Sequence, residues 1–324
     1  MQTLLAYLAE QEVTAVWPEA RQWQQWHLQR IGGGANNVLY RATSAEADWA
    51  VKFTIRDSRR RAWREFNALR ALQAAGLPLA PQPLWLDEAS YPLPVVVQTW
   101  VEGAVTAVPP QTPQEWESLL RHYVTLHKAM PENVAIPLQA ATVNFVSAAA
   151  AHRFLQQGLA CIPPAFRPNS LLIVMDLADR FVAVQPELPP ITLSLCRTDP
   201  NILNFVRQGD ALLSVDWENS GWGDPCFEIA DLLAHPCYLD IDAATRQWIM
   251  AWYAEAVGEE TAVARIATYY PLMLAWLRVV RLTRMLYEIP RGLDQRLVTR
   301  PSDWQAQTQA KYERYVALAT AALQ

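Results

Sequence analysis

The segments LCRTDPNILNF (195–205) and LLSVDWENSGWGDP (212–225) hold the side chains best suited to chemistry. Asp199 and Asn204 stand five residues apart, and Asp216 follows twelve later at the end of an apolar run. Phosphoryl transfer needs this spacing: one carboxylate accepts the proton of an attacking hydroxyl, while an amide oxygen and a second carboxylate hold Mg²⁺ against nucleotide phosphates. Any one of the three residues is also explained by an Asx turn beside a hairpin. Three upstream features in a fixed order weigh against that simpler account.

The first is GGGANNVLY (32–40), a glycine-rich turn between two strands. Glycines there allow backbone N–H groups to approach phosphate oxygens without a side-chain clash, although such a run by itself is equally a hairpin turn. The second is Lys52 in WAVKF, one of three lysines against 24 arginines (27 basic residues less 3). A lysine in mid-strand needs a counter-charge if buried, unless the strand is an edge and the stem reaches water. Glu65, on the following helix, is the third feature and the natural partner of Lys52; a solvated pair with Arg61 is the alternative.

Positioning these groups requires a small sheet and a helix. Residues 27–56 alternate as three strands with tight turns, and 81–103 hold two more. Between them, 58–77 carries Phe66, Leu69 and Leu72 at helical spacing, closed by Gly76 and Pro78. Thr112 and Pro113 then open a helix as N-cap and first residue. Helical segments with proline-rich breaks follow to about 190, short strands return near 191–196, 203–207 and 211–216, and the chain from 225 is helical. The boundary falls near Gly103, giving 1–103 as a five-stranded lobe with one helix and 104–324 as a mostly helical lobe. Asp224–Pro225 has the form of a helix start, and Glu218 either faces a cationic group of an acceptor or holds the loop after Asp216.

Composition narrows the class. Apolar residues at 52% and charged ones at 18% describe a globular chain, and a net charge of −5 with pI near 5.6 argues against nucleic acid as a partner. RDSRRRAWR (56–64) reads as a solvated helix face. Cys161, Cys196, Cys226 and Cys237 lack metal-ligand spacing and point to a reduced, cytoplasmic protein, as does an N-terminal segment without a basic signal-like start. YYPLMLAWLRVV (269–280) is too short for a membrane span and contains Arg278, so it reads as a buried helix.

At these residues the sequence resembles the aminoglycoside phosphotransferase and choline kinase family of protein-kinase-like enzymes. GGANNVLY is similar to that family's glycine loop, on Gly33, Gly34, Asn37 and Tyr40; AVK matches its phosphate-anchoring lysine, Lys52, with Glu65 as helix partner. VVVQTWVEG (95–103) is similar to its hinge, where backbone groups of Gln98, Thr99, Trp100 and Val101 would hold adenine. DWENSGWGDPCFEIADL (216–232) is similar to the metal-binding aspartate and the segment after it, and the long gap between hinge and catalytic loop fits this family better than protein kinases.

The resemblance implies an α+β, bilobed, protein-kinase-like fold with an antiparallel-sheet N-lobe and a helical C-lobe. It implies ATP and Mg²⁺ as cofactors, Asp199 and Lys52 as catalytic residues, and Asn204 and Asp216 as metal ligands. The implied partner is a small hydroxylated molecule such as an aminoglycoside-like acceptor, without nucleic acid or membrane, on a monomer or homodimer. One departure stands out: Arg197 occupies the place of a histidine two residues before the catalytic aspartate. In the kinase fold that histidine supports the loop rather than carrying a proton. An amino-alcohol kinase of the choline or ethanolamine type, and a pseudokinase-like nucleotide-binding protein, stay as alternatives.

Overall fold

Strict alternation of burial along NVLYRAT, every second residue buried, marks a strand with two differently covered faces. In the computed structural model, which describes residues 1–11, 17, 19–31, 36–294, 296–297 and 300–324, this strand is β3 (Asn37–Thr43). It lies in a six-stranded antiparallel sheet with β1 (Arg21–Trp23), β2 (Trp26–Ile31), β4 (Asp48–Thr54), β5 (Pro83–Asp87) and β6 (Val95–Thr99), ordered β1-β2-β3-β4-β6-β5. The sheet has one strand more than the five expected. The extra strand arises because Gln24 adopts φ 49° in a two-residue turn that pairs Trp23 with Trp26, without the Asn or Gly that announces such turns.

Register sorts the sheet's two faces. Val38, Tyr40, Ala42, Val51, Phe53, Val95 and Val97 pack under α1 (Gln2–Ala9), whose Leu4, Leu5 and Leu8 are buried. Each buried Val, Leu or Phe among them stabilises by about 1.5–3 kcal/mol. Lys52 sits opposite Leu39 and Val96, and Ala50 opposite Gln98, so these side chains share the other face. That face receives α2 (Arg61–Ala74), which ends in a Schellman cap: Gly76 takes φ +67° and the Leu77 N–H donates to the Leu72 carbonyl.

The chain divides into two compact units, the first holding Met1–Thr142 and Ser194–Trp222, the second Val143–Leu193 and most of the chain from Gly223 onward. The first unit therefore runs beyond the boundary expected at Gly103. β7 (Ala104–Val105) pairs with β9 (Phe205–Gln208), which pairs in turn with β10 (Ala211–Ser214). His122, on α3 (Pro113–Leu126), bonds the Leu212 carbonyl and the Ser214 hydroxyl, so the helix stays with these strands. Thr112 and Glu115 form the reciprocal capping box of α3 behind Pro113. β8 (Ser194–Cys196) and β11 (Gly221–Gly223) make a further two-stranded ladder.

The second unit contains α4 (Ala148–Ala160), α5 (Asn169–Val184), α6 (Pro225–Ala234), α7 (Ala243–Val257), α8 (Ala262–Met273), α9 (Arg281–Glu288) and α10 (Trp304–Leu323). Every residue of α6 is buried, and Asp224 caps its start through the Cys226 N–H. Burial raises the Asp224 carboxyl above the usual aspartate range, against the opposing pull of Arg265. The apolar run expected as a buried helix continues α8 through a π-helical stretch, Leu274–Val280, into α9. Among the described residues no helix is long and apolar enough to cross a membrane.

Two glycines make opposite predictions. A Cβ on Gly221 would lie 2.3 Å from the Gln139 carbonyl oxygen and 2.5 Å from the Ala141 nitrogen, backbone that can only move apart. One on Gly76 would meet nothing within 4 Å. Gly76→Ala is expected to cost about 1 kcal/mol for its left-handed backbone, and Gly221→Ala about 2 kcal/mol or more. Urea unfolding of both variants measures the difference, and equal costs would contradict the steric account.

Candidate active site

Lys52 is 4% exposed in the middle of β4. Its ammonium donates to Glu65 Oε2 at 2.7 Å and to Asp216 Oδ1, with Glu218 Oε2 3.7 Å away. Burial alone would lower the Lys52 pKa, and the carboxylates of Asp216, Glu65 and Glu218 override it and raise it. Burial pushes Glu65 up to about 7 even with Lys52 beside it. Burial acts most strongly, to raise Asp216, but Lys52 together with Arg197 and Arg61 outweighs it and holds that carboxyl below the usual range. Lys52 is therefore a buried cation paired to the helix carboxylate that the sequence predicts, and the solvated Glu65–Arg61 alternative is not what forms.

Asp199 and Asn204 come together in the loop after β8. Asn204 Nδ2 donates to Asp199 Oδ2 at 3.2 Å, and the Asn201 N–H donates to Asp199 Oδ1 at 3.3 Å. Two backbones nearby are left-handed: Thr198 at φ 52° and Asp216 at φ 64°. For a β-branched threonine this costs on the order of 1–3 kcal/mol, a strain concentrated at functional loops. The Thr198 hydroxyl, donating to the Asn219 carbonyl at 3.1 Å, helps to hold it.

Arg197 is fully buried. Its Nη2 donates at 3.0 Å to the carbonyl of Val215, the residue before Asp216. Its guanidinium carbon lies 5.0 Å from the Phe205 ring centre and 5.6 Å from that of Trp217. The arginine thus ties the loop after β8 to the loop after β10.

Gln98 and Thr99 end β6, and Trp100 and Val101 follow it. The Thr99 N–H donates to the Gln82 carbonyl and the Trp100 N–H to that of Asp48; Val101 N–H makes no backbone hydrogen bond among the described residues. Gly33 and Gly34 lie outside the described residues. Asn37 begins β3 opposite Thr54, and Tyr40, the last residue of the glycine-loop pattern, is a core side chain on the far face.

The basic cluster departs from expectation. Arg61 is 5% and Arg64 8% exposed, so this part of 56–64 is not a solvated face. Arg61 Nε donates to Asp57 at 3.0 Å and its Nη1 to Glu218 Oε1 at 2.5 Å. Arg64 donates to the carbonyls of Arg59, Ala140 and Ser220 and to Gln139 Oε1. Charge-run logic counts arginines without knowing which carbonyls and carboxylates they will meet. Glu218, 3% exposed, also accepts from Asn36 Nδ2 at 3.1 Å, so of its two expected roles it fills the structural one, holding the loop.

A family model described as a phosphotransferase enzyme family matches residues 27–267. No curated protein sequence matches the chain. Among solved structures, a choline/ethanolamine kinase family protein from Mesorhizobium loti is similar with TM-score 0.62 and 20% identity, over 99% of this chain and 98% of that one. Spectinomycin phosphotransferase, solved with ADP and spectinomycin, has TM-score 0.60 and 13% identity, over 99% and 98%. Choline kinase LicA from Streptococcus pneumoniae has TM-score 0.59 and 17% identity, over 94% of each chain. These likenesses support the protein-kinase-like α+β fold.

Removing the cation tests the charge arrangement. Lys52→Met leaves Glu65, fully buried, without its partner, which costs about 3–5 kcal/mol when the carboxylate is charged. The sign with pH follows from a carboxyl raised above its unfolded value: the native state holds the proton longer, so stability falls as pH rises from the ordinary glutamate range through about 7. Urea unfolding is expected to show a larger loss for Lys52→Met at pH 8 than at pH 5. A loss independent of pH would mean that Glu65 is not the group left behind.

Proposed function

The chain belongs to the phosphotransferase enzyme family, and we propose that it is an ATP-dependent kinase of small molecules, phosphorylating a hydroxyl of a metabolite or an aminoglycoside-like acceptor. The observation that carries this reading is the meeting of Lys52, Glu65 and Asp216, with the Asp199–Asn204 pair in the loop before β9. Each residue then has a task in line with its surroundings.

Asp199 is the base. Its carboxylate accepts hydrogen bonds from the Asn204 side chain and the Asn201 N–H, which hold its orientation. It orients the acceptor hydroxyl and takes its proton as the oxygen bonds to phosphorus. Lys52, fixed by Glu65, supplies fixed positive charge for the phosphates. Val101 supports the hinge assignment, because its N–H, unlike those of Thr99 and Trp100, makes no backbone hydrogen bond among the described residues. Asn37, at the start of β3, is assigned to the phosphates as the resemblance implies, with Gly33 and Gly34 outside the described residues.

The donor set fits Mg²⁺. An amide that donates through nitrogen to Asp199 keeps its oxygen as an acceptor, and Asp216 adds a carboxylate with a depressed pKa. These are hard oxygen ligands, as Mg²⁺ requires. When bound, the ion neutralises charge on the transferring phosphoryl group. The support role of Arg197 favours an active enzyme over a nucleotide-binding protein without catalysis, since no charged group of the proposed chemistry has been replaced.

An ADP-release screen with Mg·ATP over aminoglycosides, choline, ethanolamine, other amino alcohols and sugars identifies the acceptor. With that acceptor, Asp199→Asn is expected to lower kcat by about 10²–10⁴-fold. An unchanged kcat would sink the assignment. Arg197→His retains a donor near Val215 and is expected to keep kcat within about tenfold, whereas Arg197→Met loses the hydrogen bond and falls further. Equal rates for the two variants would show that the Val215 contact is idle.

A further inference from the structure

Helix α2 opens against its own electrostatics. Arg59, Arg60 and Arg61 crowd its start, where the helix dipole disfavours cations, and the first turn has no acidic residue. The N-cap, Arg60, sits at φ 53° without a side-chain cap. A sequence that breaks three local preferences at one helix end needs an offsetting gain. The gain is visible in where Arg61 and Arg64 reach.

Arg64 uses every guanidinium nitrogen. Nε donates to the Arg59 carbonyl at 2.8 Å, Nη1 to the carbonyls of Ala140 at 2.7 Å and Ser220 at 3.0 Å, and Nη2 to Gln139 Oε1 at 3.0 Å. It joins the helix to the segment laid against Gly221 and to the chain four residues past Asp216. One turn earlier, Arg61 bonds Glu218, which also accepts from Asn36 at the end of the glycine turn. Both arginines therefore tie α2 to the loop that carries Asp216. Glu65 is the next residue after Arg64, and its carboxylate is the helix's contact with Lys52.

We infer that Arg64, seconded by Arg61, is a positioning residue of the phosphotransfer site: it pins α2 so that Glu65 holds Lys52. The inference rests on the kinase reading for its consequence in catalysis, but not for its geometry. A planar fork that serves four acceptors is not replaceable by lysine, whose ammonium has three donors at one point.

Three lysines make the pin measurable without any substrate. Lys128 and Lys311 are exposed, whereas Lys52 is buried. Acylation of the full chain by acetic anhydride, followed by peptide mass spectrometry, gives the rate at each. In the wild type, Lys52 is expected to react about tenfold or more slowly than the other two, because reaction needs local opening. Arg64→Gln and Arg61→Gln are expected to speed Lys52 by about tenfold or more while Lys128 and Lys311 keep their rates and thermal unfolding stays above the assay temperature. A Lys52 that stays as slow as in the wild type overturns the inference. If Arg64→Gln does not fold, Arg64→Lys decides by the same comparison, its substituted position being read from its own peptide.

Catalysis gives a second readout, by a double-mutant cycle on ADP release with Mg·ATP. Arg64→Gln is expected to cost about tenfold in the wild type and much less in a Glu65→Gln background. Full multiplication of the two losses would show that Arg64 does not act through Glu65. If the wild type releases no ADP with any acceptor while the labelling pattern holds, the kinase reading fails and the pin stands. If ADP is released but Lys52 stays protected in the variants, the pin alone fails.

Discussion

An ammonium held almost out of water in the middle of a sheet is the constraint around which the first unit is arranged. Lys52 on β4 pairs on both sides, with β3 and β6, so it has no edge from which its stem could reach solvent. Burial alone would lower its pKa, and carboxylates brought from elsewhere reverse that. They come from three places: Glu65 from α2, Asp216 from the loop after β10, and Glu218 two residues further. The helix must lie on that face of the sheet, and the chain must return after residue 193 to deliver the other two. This is why Ser194–Trp222 belongs with the sheet rather than with the helices that flank it in sequence.

Satisfying one buried cation with three carboxylates leaves negative charge in excess, and Arg61 removes part of it through Glu218 at 2.5 Å. The same contact fixes the loop that carries Asp216. Electrostatic neutrality and mechanical attachment are thus achieved by one side chain, with an arginine placed where a helix start ordinarily favours an acid. The remaining excess lies at Asp216, the least buried of the three acids, its side chain 28% exposed. A site that is nearly neutral inside and negative at its open edge suits a divalent cation arriving with nucleotide phosphates.

How much of this is legible in the sequence depends on whether a residue's partner is local or implied by chemistry. Lys52 is legible because a lone lysine in an apolar strand demands a carboxylate, and Glu65 is the one acid in the helical segment 58–77 that follows. The α3 start is legible because Thr112, Pro113 and Glu115 satisfy one another within a turn. The arginines of α2 are not: their distant acceptors are the backbone carbonyls of Ala140 and Ser220, the side-chain oxygen of Gln139 and the carboxylate of Glu218, and no composition rule distinguishes a buried guanidinium with distant acceptors from a solvated one. Strand β1 is hidden for a related reason, since Gln24 adopts a left-handed turn for which its own side chain gives no cue. The break at Gly103 follows local character, whereas the units follow the pairing of β7 with β9 and the bonds of His122 to β10, which join residues about a hundred positions apart.

Arg197 shows how a departure from the pattern of relatives can be absorbed. A charged group in the core needs either a counter-charge or diffuse partners, and guanidinium, weakly hydrated and planar, accepts the second. Here it faces the rings of Phe205 and Trp217 and gives a hydrogen bond to the Val215 carbonyl. That carbonyl belongs to the residue whose successor, Asp216, is held at φ 64°, so the arginine braces the backbone at the point where it turns against its preference. Its positive charge also acts on Asp216 in the same direction as Lys52, favouring the carboxylate. A histidine in this place would brace the loop with a proton that can leave near neutral pH; an arginine braces it with a charge that cannot. The brace between the loop after β8 and the loop after β10, and one contribution to the lowered pKa of Asp216, thus come from one residue whose own charge does not change with pH.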